Sequence, residues 1–282
     1  MIDAHFHLWR IGENGCRWPT SDLKAIYRTF ELAEFEAVAR RLGVTGAVLV
    51  QSQQSEADTR YLIRAARESD FVLGVCGWCA LDAPDTPAQV KAFAQEPKLR
   101  ALRPMLQDLD DERWIAEADL DAAIAAMIEA GLAFDALVRP RHLPALIAFK
   151  RRHDGLVLIV DHGAKPDIGA GDIESWAALM GEIARLPNTY CKLSGLLTEA
   201  SPGAGADALR PYVEVMLSCF GPERLMWGSD WPVLNLAGAY EPWLRLAEAL
   251  CDGLSAYERE YVFGETARAA YGLAAKPQGN AP

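Results

Sequence analysis

Residues 2–8 read Ile2-Asp3-Ala4-His5-Phe6-His7-Leu8, a short apolar run carrying two histidines spaced two apart. In a strand, alternate residues share a face, so both imidazoles enter the same side of the sheet. Seven further runs of this kind follow: 45–51 (TGAVLVQ), 71–78 (FVLGVCGW), 99–105 (LRALRPM), 133–139 (AFDALVR), 156–162 (LVLIVDH), 189–195 (TYCKLSG) and 224–230 (RLMWGSD). Their β-branched or near-continuous apolar character suits strands covered on both faces, as in a parallel sheet. Between them, 32–41, 57–68, 120–130 and 143–152 place apolar residues at the three- and four-residue spacing of amphipathic helices. Gly43 and Gly131 follow two of these as stops, and Pro84 and Pro87 bracket the entry to a helix after the third strand. Further helices are expected around 239–250 and over 255–271. Eight strand–helix alternations without a break in composition predict an α/β fold, one (β/α)8 TIM barrel over 1–273, with 274–282 a flexible tail. Long connections at 11–31, 107–119 and 198–207 leave the carboxyl ends of strands, where barrel enzymes place their sites.

The 282 residues are 51% hydrophobic and 24% charged, with a formal charge of −11. That acidic balance argues against a nucleic-acid partner, which calls for a basic surface, and against a polybasic membrane anchor. No apolar run approaches the roughly 20 residues that span a bilayer, and the opening lacks the pattern of a secretory signal. A cytoplasmic protein with no membrane partner is expected; the oligomeric state stays open. The six cysteines are scattered and read as reduced thiols. Cys76-Gly77-Trp78-Cys79 has redox or zinc spacing, but it lies in a strand without a second pair and reads as core.

His5 and His7 on one strand face are harder to explain as packing than one histidine would be. His162 closes the sixth run and Asp230 the eighth. Their bland alternatives are a helix or loop cap for the first and an N-cap for the second. Arg103 and Arg139 close the fourth and fifth runs, each near a proline. An arginine inside a barrel must meet an anion or a carbonyl, whether a substrate's or that of a structural ion-pair partner. Gln51, Trp78 and Lys192 hold the corresponding places on strands two, three and seven. Lys192 is expected to orient a substrate oxygen or to pair with Asp230. Trp9, Trp78 and Trp231 are expected around one mouth, where indole faces suit sugar C–H groups or simply line an apolar lid. His142 and His153 are expected to face solvent, and Trp18, Trp114, Trp176 and Trp243 to be core or interface.

These residues carry a family resemblance over nearly every strand. Besides residues 2–9 and the Val50-Gln51 strand end, it runs through 98–103, Asp161-His162-Gly163-Ala164-Lys165-Pro166, 191–196 and 224–232. The chain resembles the amidohydrolase superfamily in its amidohydrolase-2 branch, and within it most looks like the sugar lactonases, the L-fuconolactonase and L-rhamnonolactonase group. Pyrone-dicarboxylate and sulfomuconolactone hydrolases are more distant. The resemblance implies that Asp230 and His162 are catalytic and that His5 and His7 line the reacting centre. Superfamily members with a full metal site add a lysine or histidine at strand four and a histidine at strand five; here Arg103 and Arg139 stand there, which speaks against a binuclear site. Either no cofactor is required, or a single zinc or manganese sits on His5, His7 and Asp230, with or without His162.

The expected activity is therefore hydrolytic opening of an aldono-1,4- or 1,5-lactone, a small-molecule sugar lactone, to its acid. Asp230 takes a proton from water, His5, His7 and Arg103 stabilise the oxyanion, and His162 protonates the leaving alkoxide or orients the water. Gln51, Trp9, Trp78, Arg139, Lys192 and Trp231 are the further substrate-binding candidates. No Gly-x-Ser-x-Gly elbow and no P-loop is present. The rivals are a metal-dependent decarboxylase or C–C hydrolase of aromatic or dicarboxylic acids, and a carbohydrate-binding barrel without turnover.

Overall fold

The structure is a computed structural model that describes residues 1–171 and 173–274; most of the expected tail lies outside them. Its strands are β1 (Ile2–Phe6), β2 (Gly46–Val50), β3 (Val72–Gly77), β4 (Leu99–Leu102), β5 (Ala133–Ala136), β6 (Leu158–Val160), β7 (Thr189–Leu193) and β8 (Leu225–Trp227). They pair in parallel in chain order. At the seam between β1 and β8, Phe6 bridges Trp231, the His7 amide donates to the Trp231 carbonyl at 2.7 Å, and the Asp230 amide donates to the His5 carbonyl at 2.8 Å. Asp3 fastens the same seam. Its Oδ1 accepts from the amides of His5 (3.1 Å) and Ser229 (2.8 Å), and its Oδ2 accepts from the Tyr240 hydroxyl at 2.9 Å. The architecture is a (β/α)8 barrel.

The outer helices include α1 (Leu32–Arg41), α2 (Glu56–Arg67), α3 (Thr86–Phe93), α4 (Trp114–Glu117), α5 (Asp121–Ala130) and α6 (Leu143–Arg152). They continue with α7 (Glu174–Ile183), α8 (Ala206–Phe220) and α9 (Tyr240–Leu250). Local chemistry sets their ends. The Ser55 hydroxyl accepts from the Asp58 amide and starts α2 one residue earlier than the apolar spacing implies, while Gly131, at φ 67°, ends α5. After α9, α10 (Ala256–Glu260) and α11 (Thr266–Tyr271) run on through a π-helical turn at Tyr261–Glu265. This final stretch packs Ala267, Ala270, Tyr271 and Leu273 against an apolar layer of Ile2, Val48 and Ile159 from the barrel interior. No described helix is long and apolar enough to cross a membrane. Cys76 and Cys79 are buried free thiols.

Every strand stops short of the end of its apolar run, and the difference matters for the site. The ladder ends at Val160, and the chain then turns through His162, Gly163, Ala164 and Lys165, all with φ between 51° and 60°. Such left-handed backbone is costly for residues with a Cβ and persists where the surroundings over-determine it. Asp230, at φ 57°, makes a similar exit after β8. His5 stays within β1, whereas His7, Arg103, His162 and Asp230 stand just beyond their strands, held by the barrel beneath them.

Candidate active site

At the carboxyl end of the strands a cavity of about 640 Å³ opens; His7, Trp18, Gln53, Arg103, His162 and Asp230 are among the residues lining it. At its base, the Nε2 atoms of His5 and His7 are 3.1 Å apart, and His7 Nε2 is 3.2 Å from Asp230 Oδ1. His5 Nε2 is 3.7 Å and His162 Nε2 4.0 Å from that same carboxylate oxygen. The Val50 carbonyl accepts from His7 Nδ1 at 2.8 Å, which fixes the ring with Nε2 toward Asp230. The fit also demands two glycines. A Cβ at Gly228 would come within 2.8 Å of His5 Cβ, and one at Gly195 within 2.6 Å of His162 Nδ1.

Burial and charge fix the protonation pattern. Burial opposes ionisation of Asp230, yet His162 and the neighbouring His7 and His5 hold its carboxyl well below the usual carboxylate range. Burial pushes His162 down to about 4, so its ring is neutral at pH 7. Its Nδ1 meets the Ser194 hydroxyl at 2.8 Å. Burial, reinforced by Lys192, pushes His5 down as well. The site at neutral pH therefore sets the Asp230 carboxylate against the neutral imidazoles of His5 and His162, a set able to accept a proton from water.

A second layer stands behind His5. Lys192 Nζ is 3.0 Å from His5 Nδ1, donates to Asp135 Oδ2 at 2.6 Å, and lies 2.8 Å from Asp161 Oδ1. Arg103 Nη1 donates to Asp161 Oδ2 at 3.2 Å and stands 3.4 Å from His5 Nε2. Although burial raises it, the Asp161 carboxyl stays well below its ordinary range because Lys192, His5 and Arg103 surround it. Arg103 thus combines both roles open to it, bracing Asp161 and presenting a cation to the cavity. Lys192 is fully buried, and its carboxylate partners are Asp135 and Asp161 rather than Asp230.

Several candidates sit elsewhere than expected. Trp9 and Trp231 are buried in an aromatic cluster with Phe30, and the Trp9 indole donates to the Arg28 carbonyl. Trp78 is half-buried beyond β3, its backbone clasped by the Thr59 hydroxyl. None of the three lines the cavity; Trp18 does. Gln51 is buried and donates from Nε2 to the Arg103 carbonyl, and Arg139 Nη1 lies 3.5 Å from Glu199 Oε2 at the rim, so neither is among the lining residues. His142 is buried rather than solvent-facing, because its Nδ1 accepts from the Arg139 amide at 3.0 Å; His153 is half-buried, 3.4 Å from Asp121. Trp176 and Trp243 are core.

The missed residues lie on loops. Gln53 accepts from the amides of Arg17 (2.9 Å) and Trp18 (3.2 Å) and donates to the Trp18 carbonyl (2.7 Å), stapling the first long loop over the site. Asp58 in turn accepts from the Ser52 and Gln53 amides, and burial pushes its carboxyl up to about 7. The length of the first loop was a signal for a pocket wall, but nothing in its composition marked Trp18.

His5 Nε2, His7 Nε2 and Asp230 Oδ1 fit a single divalent cation. Ligand bonds of about 2.0–2.1 Å in a tetrahedron place donor atoms about 3.3 Å apart, close to the 3.1, 3.2 and 3.7 Å seen here. The group His5, Asp161 and His162 is also compact, but Asp161 already neutralises Arg103 and Lys192.

Known proteins resemble the chain over nearly its whole length. The family model described as Amidohydrolase matches residues 2–273. An L-fucono-1,5-lactonase of Burkholderia ambifaria is 47% identical over 94% of this chain and 93% of its own length. A second L-fucono-1,5-lactonase, from Burkholderia multivorans, is 33% identical over 96% of both chains. The crystal structure of a Burkholderia multivorans amidohydrolase with bound zinc matches with a TM-score of 0.92 at 32% identity, covering 97% of this chain and 99% of that one.

Proposed function

The chain belongs to the amidohydrolase family, and on that premise we propose that it hydrolyses a sugar lactone to the aldonic acid, with a 6-deoxyhexono-1,5-lactone such as L-fucono-1,5-lactone as the preferred class. The observation that carries this reading is the meeting of the Asp230 carboxylate, neutral His162 and the Arg103 cation at the base of one cavity. Water beside Asp230 loses a proton to the carboxylate as it attacks the lactone carbonyl. Arg103 faces the oxygen on which charge develops and stabilises it. Because His162 is neutral at pH 7, the proton for the leaving ring oxygen is the one Asp230 has taken, returned directly or through His162. His5, His7 and Asp230 would hold a divalent cation, which when bound would supply Lewis acidity there.

The walls support the substrate class. Trp18 offers an indole for the C–H face of a sugar ring, and Ser52 and Gln107 offer hydrogen-bonding groups. Met105, Leu137 and Val233 form an apolar portion suited to a methyl group in place of a terminal hydroxymethyl. The test is acid release, followed with a pH indicator, from a panel of aldono-1,4- and 1,5-lactones before and after chelation. The expected result is fastest turnover of a 6-deoxy-1,5-lactone, lowered by chelation and restored by zinc or manganese. Turnover untouched by chelation would assign the chemistry to the side chains alone. Silence across the panel would overturn the reading and direct the search to aromatic carboxylates.

A further inference from the structure

The barrel floor holds a polar atom that packing does not explain. Tyr271 closes α11, outside the eight strand–helix repeats, and its ring lies among apolar floor residues that phenylalanine would satisfy equally. Its hydroxyl instead donates to Asp135 Oδ2 at 2.6 Å. Lys192 donates to the same oxygen at 2.6 Å, while Asp135 Oδ1 has no hydrogen-bond partner among the described residues. The Tyr271 ring also covers the Lys192 ammonium, 5.4 Å from the ring centre. From Lys192 the contacts run on to His5 Nδ1 and Asp161, and from Asp161 to Arg103. Asp135, Lys192, Asp161 and His5 are fully buried, so no water substitutes for a lost partner without reorganising the floor.

We propose that Tyr271 is a positioning residue for the site: its hydroxyl fixes the Asp135 carboxylate, which anchors Lys192, which holds His5 and Asp161 from behind. Two donors on one oxygen define the rotation of the Asp135 carboxylate. With only Lys192 left, that carboxylate turns toward its unpartnered oxygen, and the ammonium follows it away from His5. Tyr271 touches no reacting atom; it acts through the orientation of residues that line the cavity or stand directly behind them. The kinetic part of this inference rests on the lactone-hydrolase reading; the position of His5 does not.

The test compares wild type with Tyr271→Phe, which keeps the ring and removes only the hydroxyl, and with Leu273→Ala, a floor residue of purely apolar contact. Thermal midpoint, kcat and KM for the lactone, and the imidazole nitrogen resonances of 15N-histidine-labelled protein are measured on all three. The expected result for Tyr271→Phe is a kcat lower by about ten-fold, the cost of one hydrogen bond to a charged group. KM stays unchanged, and the His5 resonances shift. Leu273→Ala lowers the midpoint without moving kcat or those resonances. Wild-type kcat and unshifted His5 signals in Tyr271→Phe overturn the proposal. Equal kcat losses in both variants do so too, since they reduce Tyr271 to floor packing. Should Tyr271→Phe not fold, Asp135→Asn reads the same connection: a fall in kcat at constant KM supports it and wild-type kcat overturns it. If wild type opens no lactone, the activity reading fails alone and the resonances still decide.

Discussion

His7 Nε2 and Asp230 Oδ1 stand 3.2 Å apart across a sequence separation of 223 residues. The closure of β1 against β8 brings them together, through the same seam that Asp3 fastens. One carboxylate oxygen is thereby shared among three imidazoles, and its electrostatic surroundings keep it ionised.

Asp230→Asn keeps the shape of that carboxylate and removes its basicity. A loss of turnover of about 10³-fold is expected, within the usual range for a general base. The thermal midpoint should move little. Acid-release kinetics on the best lactone measure it, and wild-type turnover in the variant would remove Asp230 from the mechanism.

The pH profile follows from the two lowered groups. His162 is neutral above about 4, and Asp230 is ionised throughout the working range. The competent state is therefore fully populated from pH 5 to neutrality, and kcat/KM is expected to be flat there. It should fall only as His162 gains its proton near 4. Initial rates, corrected for spontaneous lactone opening, test this; an acid limb centred near 6.5 would mean that the active imidazole is not held down by burial.

Gly195→Ala tests the packing behind His162. The position has φ +63° and its Cβ would sit 2.6 Å from the ring nitrogen that meets Ser194. Backbone strain alone costs about 1–2 kcal/mol, and the displaced ring adds a functional loss. A thermal midpoint lower by several degrees, with kcat down at least about ten-fold, is expected. A variant with normal kcat would show that the His162 position is not critical.

Asp58 makes stability depend on pH in a separable way. Its carboxyl, raised from an ordinary 3.8 to about 7, binds its proton more tightly in the folded chain than in the unfolded one. Stability on its account is greatest below about 4, falls as pH rises toward 7 and then levels. Asp58→Asn still offers an oxygen to the Ser52 and Gln53 amides but has no such slope. The midpoint of the variant relative to wild type should therefore rise by a few degrees between pH 5 and pH 8. A difference constant with pH would mean that the folded chain leaves this carboxyl unshifted.

Much of the candidate site was legible from its strand ends. His5, His7, Arg103, His162 and Asp230 were each marked by an unusual residue type closing an apolar run, and the barrel brings all five to one place. A strand end is not by itself a cavity wall. Lys192, Gln51, Trp9 and Trp231 occupy equivalent positions in the pattern but face inward partners: Asp135, the Arg103 carbonyl, and Phe30 for the two indoles.

Local pattern determined the eight repeats, because alternation of apolar runs and amphipathic stretches is a property of neighbouring residues and is written along the chain. It also determined which residues stand where a barrel does chemistry. Only the tertiary structure decided which of them meet the cavity and which brace those that do, because hydrogen bonds and ion pairs link residues far apart in sequence. Lys192 is paired by Asp135, 57 positions away, and Asp135 is held by Tyr271, 136 positions further on. Trp18 reaches the cavity because Gln53 holds its backbone there. Periodicity has no memory of such distances; the closed barrel supplies them.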